Sequence, residues 1–181
     1  MSKPEAVSID GPVGADRVSL EIAPLDTFVR QHYPRLVRLA GLITRDVDQA
    51  QDAVQAALER AWRKRGAVRD PASLRAWLDQ IVVREAIRQT RGRGLALLVR
   101  RPPTDWLDLP ASLPEPAERA MVREALGRLS PDHRAVIALH LHAGYSVDET
   151  ARVLDVPFDT VRSRLRAARE QLRRHLAEVT P

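Results

Sequence analysis

Val161, Leu165, Ala168 and Leu172 recur at steps of four, three and four residues, and arginine crowds the positions between them. That spacing places the four on one stripe of an α-helix and leaves Arg162, Ser163, Arg166, Arg169 and Arg173 outside it. From Arg162 to Arg174 there are six arginines and one acid, Glu170. A helix so charged on one side must pack through the stripe alone, and the residues before it supply the partner. Ser146-Val147-Asp148-Glu149 carries the serine and glutamate of a capping box. Val147, Ala151 and Leu154 can face a core. Pro157 suits the first turn of a new helix, where its missing N–H is not needed. A short helix, a tight turn and a second helix with an outward basic face make a helix-turn-helix. The second helix of that motif enters the major groove by its N-terminal part. There arginine can fork onto guanine, and serine or threonine (Thr160, Ser163) can reach bases or phosphates. Arginines near a helix end can also serve its dipole, but Arg162 and Arg166 lie too early for that alone.

Upstream, Phe28, Leu36, Leu39, Ala40 and Ile43 form an apolar stripe over Leu25 to Ile43, and Pro34 inside it predicts a kink or break. A second amphipathic helix is expected from Asp46 to Lys64, with Val47, Ala50, Val54, Leu58, Ala61 and Trp62 on one face. Asp48, Asp52, Gln55 and Glu59 share another face, as a solvated surface would. A third helix runs from about Asp70 to Arg91, with Leu74, Trp77, Leu78, Ile81 and Val82 apolar and Arg84, Arg88 and Arg91 together. From Arg60 to Arg101 twelve Lys or Arg face three acids, a second basic concentration. Residues 92–116 hold five prolines and no sustained period, which marks a linker. Helical patterns return over 117–128, 131–142, 146–153 and 157–176, and no strand-like alternation of useful length occurs. The expected fold is all-α: a disordered leader over 1–24, a helical domain over 25–91, a Pro-rich linker over 92–116 and a second helical domain over 117–177. The two domains are expected to fold independently, with proteases cutting the linker first.

The formal net charge of +5 and the pI near 10.5 suit nucleic acid or an anionic surface. The absence of cysteine excludes disulfides and cysteine-based metal chemistry. No apolar run approaches the roughly 18 residues of a membrane span, and the N-terminus lacks a signal-peptide layout, so a cytoplasmic location is expected. Five histidines (His32, His133, His140, His142 and His175) raise the question of an enzyme. His140 and His142 fall two apart, on different helix faces. No H-x-x-x-H, nucleophile motif or Gly-rich phosphate loop is present. No catalytic residue, metal, cofactor or small-molecule substrate is therefore expected.

The stretch GYSVDETARVLDVPFDTVRSRLRAARE resembles the promoter −35-reading helix-turn-helix of bacterial ECF sigma factors. The similar elements are Tyr145-Ser146, Ala151 and Leu154, Val156-Pro157, Thr160-Val161, Ser163-Arg164-Leu165 and Ala168-Arg169. Ala50, Asp52, Val54, Gln55, Ala61 and Trp62 are similar to the first sigma-domain signature, and Leu74-Arg75-Ala76-Trp77-Leu78 with Ile81 and Arg84 to the −10-reading helix. The resemblance implies a non-enzymatic transcription initiation factor whose partners are core RNA polymerase, promoter DNA and an anti-sigma factor. It implies polymerase docking through Asp48, Asp52, Gln55 and Glu59, −10 reading through Arg75, Trp77, Arg84 and Arg88, and −35 reading through Thr160, Arg162, Ser163, Arg166 and Arg169. It also implies that the acidic linker around Asp105, Trp106 and Asp108 threads toward the polymerase cleft. The chain departs from the family at Gln51 and Ala56 (usually acidic), Leu58 (usually aromatic), Asp155 (usually glycine) and the Phe158-Asp159 pair. Glu85 stands where asparagine is common beside the −10 strand, and a carboxylate there would repel phosphate. The alternative is a helix-turn-helix regulator that is no sigma subunit, which would need neither the first domain nor its acidic face.

Overall fold

The computed structural model describes residues 13–65, 71–92 and 116–179, and every regular element among them is helical. The elements are α1 (Val13–Thr44), α2 (Val47–Arg63), a 3-10 turn (Pro71–Ser73) leading into α3 (Leu74–Gly92), α4 (Pro116–Arg128), α5 (Pro131–Ile137), α6 (Val147–Leu154) and α7 (Phe158–Val179). A π-helical turn, Ala138–His142, continues α5. The linker residues Asp105, Trp106 and Asp108 lie outside the described residues.

Helix α1 differs from expectation at two places. It begins at Val13, inside the stretch expected to be a disordered leader. No proline or glycine lies between Ala15 and Ala23, and Arg17, Leu20 and Glu21 are good helix formers. It also continues without a break through Pro24 and Pro34 to Thr44. Leu36, Leu39, Ala40 and Ile43 are fully buried, so packing of the apolar stripe holds the helix together beyond Pro34. The corner into α2 is tight. Arg45 takes a left-handed φ of 63°, and the Asp46 carboxylate caps α2 by accepting from the Gln49 N–H at 3.0 Å.

In α2 the buried apolar residues are Ala50, Ala53, Val54, Ala57 and Ala61, and the small alanines let α1 and α3 approach closely. Trp62, expected on the apolar face, is 44% exposed, with the Arg65 guanidinium 5.1 Å over its ring. It follows Ala61 directly, so the turn of the helix carries it off the buried side. Helix α3 buries Leu74, Leu78, Val82, Val83 and Ala86, and two acids besides, Asp79 and Glu85.

The C-terminal unit forms the expected motif. Ser146 and Glu149 close both halves of the capping box. Asp155 takes the left-handed conformation that ends α6 (φ 56°, ψ 51°), which its short polar side chain tolerates. Val161, Leu165 and Ala168 of α7 are buried against α5 and α6.

Rather than standing apart, the two units pack together: α5 lies against α1 and α3, and α6 against α3. Buried apolar residues of both belong to one core, and polar contacts join them as well. Arg134 donates to the Ile43 carbonyl at 2.7 Å, near the end of α1, and to Leu129 O at 2.5 Å. Arg45 reaches Gly127 O at 3.2 Å. Tyr145 donates to Asp79 Oδ2 at 2.7 Å. Because α3 has the first core on one side and the second unit on another, it also buries Val83 and Ala86, outside the expected apolar stripe.

The capping box makes a direct stability test. Ser146→Ala leaves the Glu149 N–H without its acceptor and should lower the urea unfolding stability by about 1 kcal/mol; an unchanged midpoint would show that the cap contributes nothing.

Candidate nucleic-acid interface

The outward face of α7 is a line of guanidinium groups. Arg162, Ser163, Arg166, Arg169 and Arg173 are exposed and border an open groove of about 740 Å³, which His140, Val147, Asp159 and Glu170 also line. Among the described residues Arg166, Arg169 and Arg173 have no ion-pair partner, so their donors face water. Arg162 lies 3.9 Å from Asp159, with both side chains well exposed, and 5.8 Å over the Phe158 ring. That contact holds it loosely near the tip of the helix. The Ser163 hydroxyl donates to the Thr160 carbonyl at 2.9 Å, so only its lone pairs remain free for a partner. Thr160 itself is half-buried. Arg164 points the other way, 3.6 Å from Asp132.

The polar face of α2 has a different character. Asp48, Asp52, Gln55 and Glu59 are all exposed, and among the described residues none of the three acids is in an ion pair. Three unpaired carboxylates at helical spacing make a surface suited to a basic partner.

On α3 the expected nucleic-acid residues are brought to one side, but their polar ends are engaged. Arg75 donates to Ala143 O at 2.9 Å and lies 5.5 Å over the Tyr145 ring. Arg84 pairs with Asp155 at 3.1 Å. Arg91 pairs with Asp132, and Arg88 with Glu85. Trp77 is half-buried and packs against the core. Glu85 corrects the expectation of a repelling carboxylate. It is fully buried, hydrogen-bonded to Arg88 on one oxygen and in close ion contact with Arg60, 3.0 Å from the other. Its charge is neutralised inside the N-terminal unit rather than presented to a strand.

Three features of the structure had weak or no sequence signals. Asp79 is fully buried and receives both arms of Arg35, at 2.9 and 2.5 Å, as well as the Tyr145 hydroxyl. Burial, then the Asp79 charge, raises the Tyr145 pKa well above the usual phenol value. Arg134 is buried with only carbonyls as hydrogen-bond acceptors, and burial together with the Arg45 charge pushes its pKa down to about 10. Phe158 is exposed at the tip of α7. A lone acid on the apolar side of α3 was the only hint of the first, and nothing in helical spacing hints at the others.

Two of the histidines make local contacts. His32 packs its ring 4.2 Å from that of Phe28, and His140 Nδ1 lies 2.7 Å from Tyr145 O. Burial lowers the pKa of His142, with Arg38 and Arg35 adding to the effect. Among the described residues no three His, Cys, Asp or Glu side chains form a metal-holding group, and no helix is long and apolar enough to cross a membrane.

Two family models match the chain: Sigma-70 region 2 over residues 28–95 and Sigma-70, region 4 over residues 119–172. The ECF RNA polymerase sigma factor SigM of Mycobacterium tuberculosis is 32% identical over 170 residues, covering 92% of this chain and 84% of that protein. The ECF RNA polymerase sigma factor SigL of the same species is 32% identical, covering 88% and 92%. Among solved structures, the sigma factor RpoE in complex with the anti-sigma factor NepR from Bartonella quintana aligns with a TM-score of 0.66 at 26% identity, covering 88% of this chain and 100% of that one. CnrH in complex with the cytosolic domain of CnrY aligns with a TM-score of 0.63 at 26% identity, covering 92% of each.

The buried position of Glu85 is testable by stability. Glu85→Gln keeps the shape but weakens charge-assisted bonds to Arg60 and Arg88, and should cost about 1–3 kcal/mol in urea unfolding. An acid that merely faced a strand would be neutralised at no cost to stability.

Proposed function

The chain belongs to the bacterial ECF RNA polymerase sigma factors, and from that premise we propose how its surfaces divide the work. It is a transcription initiation factor that binds core RNA polymerase and directs it to promoters. Asp48, Asp52, Gln55 and Glu59 of α2 dock on a basic-rimmed element of the polymerase. Arg75, Trp77, Arg84 and Arg88 of α3 hold the opened −10 strand. Thr160, Arg162, Ser163, Arg166 and Arg169 of α7 read the −35 duplex. In domain terms, residues 25–91 serve the polymerase and the −10 element, residues 92–116 link, and residues 117–177 serve the −35 element. The chain itself catalyses nothing and acts in the cytoplasm, lending sequence preference to an enzyme that lacks it.

The observation that carries the reading is the free line of guanidinium groups on α7, set on a helix whose opposite stripe is buried. Arginine in the first turns of such a helix meets base edges, whereas arginine farther along meets phosphates. The acidic face of α2 supports the docking assignment in the same way, because an exposed row of unpaired carboxylates is left for a partner to neutralise. A regulator that is no sigma subunit would leave the match over residues 28–95 without a role. An anti-sigma factor is a fitting further partner, since the aligned sigma factor RpoE is bound to the anti-sigma factor NepR.

Run-off transcription with purified core polymerase on a promoter library tests the function directly: the chain should select a small set of promoters, and unselective initiation would refute it. The docking assignment predicts that Asp52→Arg weakens core binding by at least about tenfold, the size of one 1.4 kcal/mol interaction, while circular dichroism shows the fold intact. Affinity equal to the parent in a titration would remove α2 from the interface. On the cognate −35 duplex, Arg166→Ala should cost about 1–3 kcal/mol and relax base preference. Arg173→Ala should instead weaken all duplexes alike and lower the salt slope by about one unit. Equal losses on cognate and scrambled duplexes for both variants would make α7 an electrostatic anchor rather than a reader.

A further inference from the structure

We propose that Phe158, at the tip of α7, also reads sequence: its ring packs on the 5-methyl group of a thymine in the base pair beside the guanine that Arg162 takes. The proposal rests on the assignment of α7 to the −35 duplex and names a contact that this assignment leaves out.

The place of Phe158 is at odds with its side chain. It lies three residues before Val161, so helical spacing extends the stripe of Val161, Leu165 and Ala168 back to it. Those three are buried, yet Phe158 is 41% exposed. The core ends before the helix does, and the ring projects from the first turn of α7 into water. The N-terminal part of such a helix is the part that meets base edges in the major groove. Apolar surface left in water at that point is surface that a bound duplex can cover.

The groups around the ring suit base edges rather than the DNA backbone. Arg162, one turn on, holds its guanidinium 5.8 Å from the ring centre and 3.9 Å from the Asp159 carboxylate. Asp159, Arg162 and Ser163 border the same open groove. The Asp159 side chain is well exposed, and a carboxylate there would repel a phosphate, whereas base amines such as N4 of cytosine can donate to it. The tip therefore lies over the floor of the groove. On that floor the thymine methyl is the apolar group, and phenylalanine is among the side chains that meet it. Arginine forks onto O6 and N7 of guanine. Neighbouring base pairs stand about 3.4 Å apart along the duplex. A ring packed beside the Arg162 guanidinium is thereby set against the adjacent pair.

The test isolates the methyl group. The chain bound to core polymerase selects a preferred promoter from a randomised library, and the selected fragment is remade with deoxyuridine in place of each −35 thymine in turn. Uracil pairs as thymine does and lacks only the methyl. One of these replacements should weaken binding by the parent complex about fourfold, the effect of one buried carbon. Phe158→Ala should bind the thymine and uracil fragments alike, with the parent's affinity for the uracil one. Phe158→Leu, which keeps an apolar side chain, should retain part of the preference for thymine and repeats the test in a variant nearer the parent. Circular dichroism should show both variants folded, and both should bind core polymerase as the parent does. If no uracil replacement affects the parent, or the same replacement weakens Phe158→Ala as much as the parent, the proposal is overturned. Loss of core binding by the folded variants overturns it too, because Phe158 would then face the polymerase. Failure of the −35 assignment itself is read separately, as an unchanged base preference in Arg166→Ala.

Discussion

A fully buried carboxylate, Asp79, fixes how the helices of this chain meet. Taking such a charge out of water costs several kcal/mol unless it is paired and hydrogen-bonded. Here the compensation comes from two directions. Arg35 of α1 grips both oxygens, and Tyr145 of the C-terminal unit donates to one of them. The first contact locks α1 against α3 and belongs to the N-terminal unit. The second reaches across to the other unit and can be given up without leaving Asp79 unpaired. One side chain therefore ties α1 to α3 and the two units to each other.

The working surfaces follow from that arrangement. Helix α2 sits on the far side of the first core, held by alanines, and its acids stay in water. Helix α7 turns its apolar stripe inward against α5 and α6 and its arginines outward. Helix α3 lies between, with buried acids, engaged arginines and a second unit on its flank. Its charges are neutralised in three ways: Asp79 by α1, Glu85 by Arg60 and Arg88, and the outer arginines by the C-terminal unit.

The sequence made the helical elements of the C-terminal unit legible because local chemistry alone sets them: a capping box, a proline at the start of α7 and a stripe of four apolar residues. The exposed faces of α2 and α7 were legible for the same reason, since periodicity separates wet from dry. Trp62 was misplaced because an aromatic beside a buried alanine reads as core until the close packing of α1, α2 and α3 is known. Glu85 was misread because its neutralising partners, Arg60 and Arg88, come together only in three dimensions. The Asp79–Tyr145 contact joins residues 66 positions apart, and no local pattern encodes it. Pro34 would break an isolated helix, yet tertiary burial of Leu36, Leu39 and Ile43 overrides the local cost.

The central claim is that the buried stripe of α7 holds its arginines outward for duplex DNA. A photo-crosslinking residue at exposed Arg166, in a complex of the chain with core polymerase and promoter DNA, measures this directly. The account predicts cross-links at the −35 element. Cross-links only to polymerase or to the opened −10 strand would contradict it.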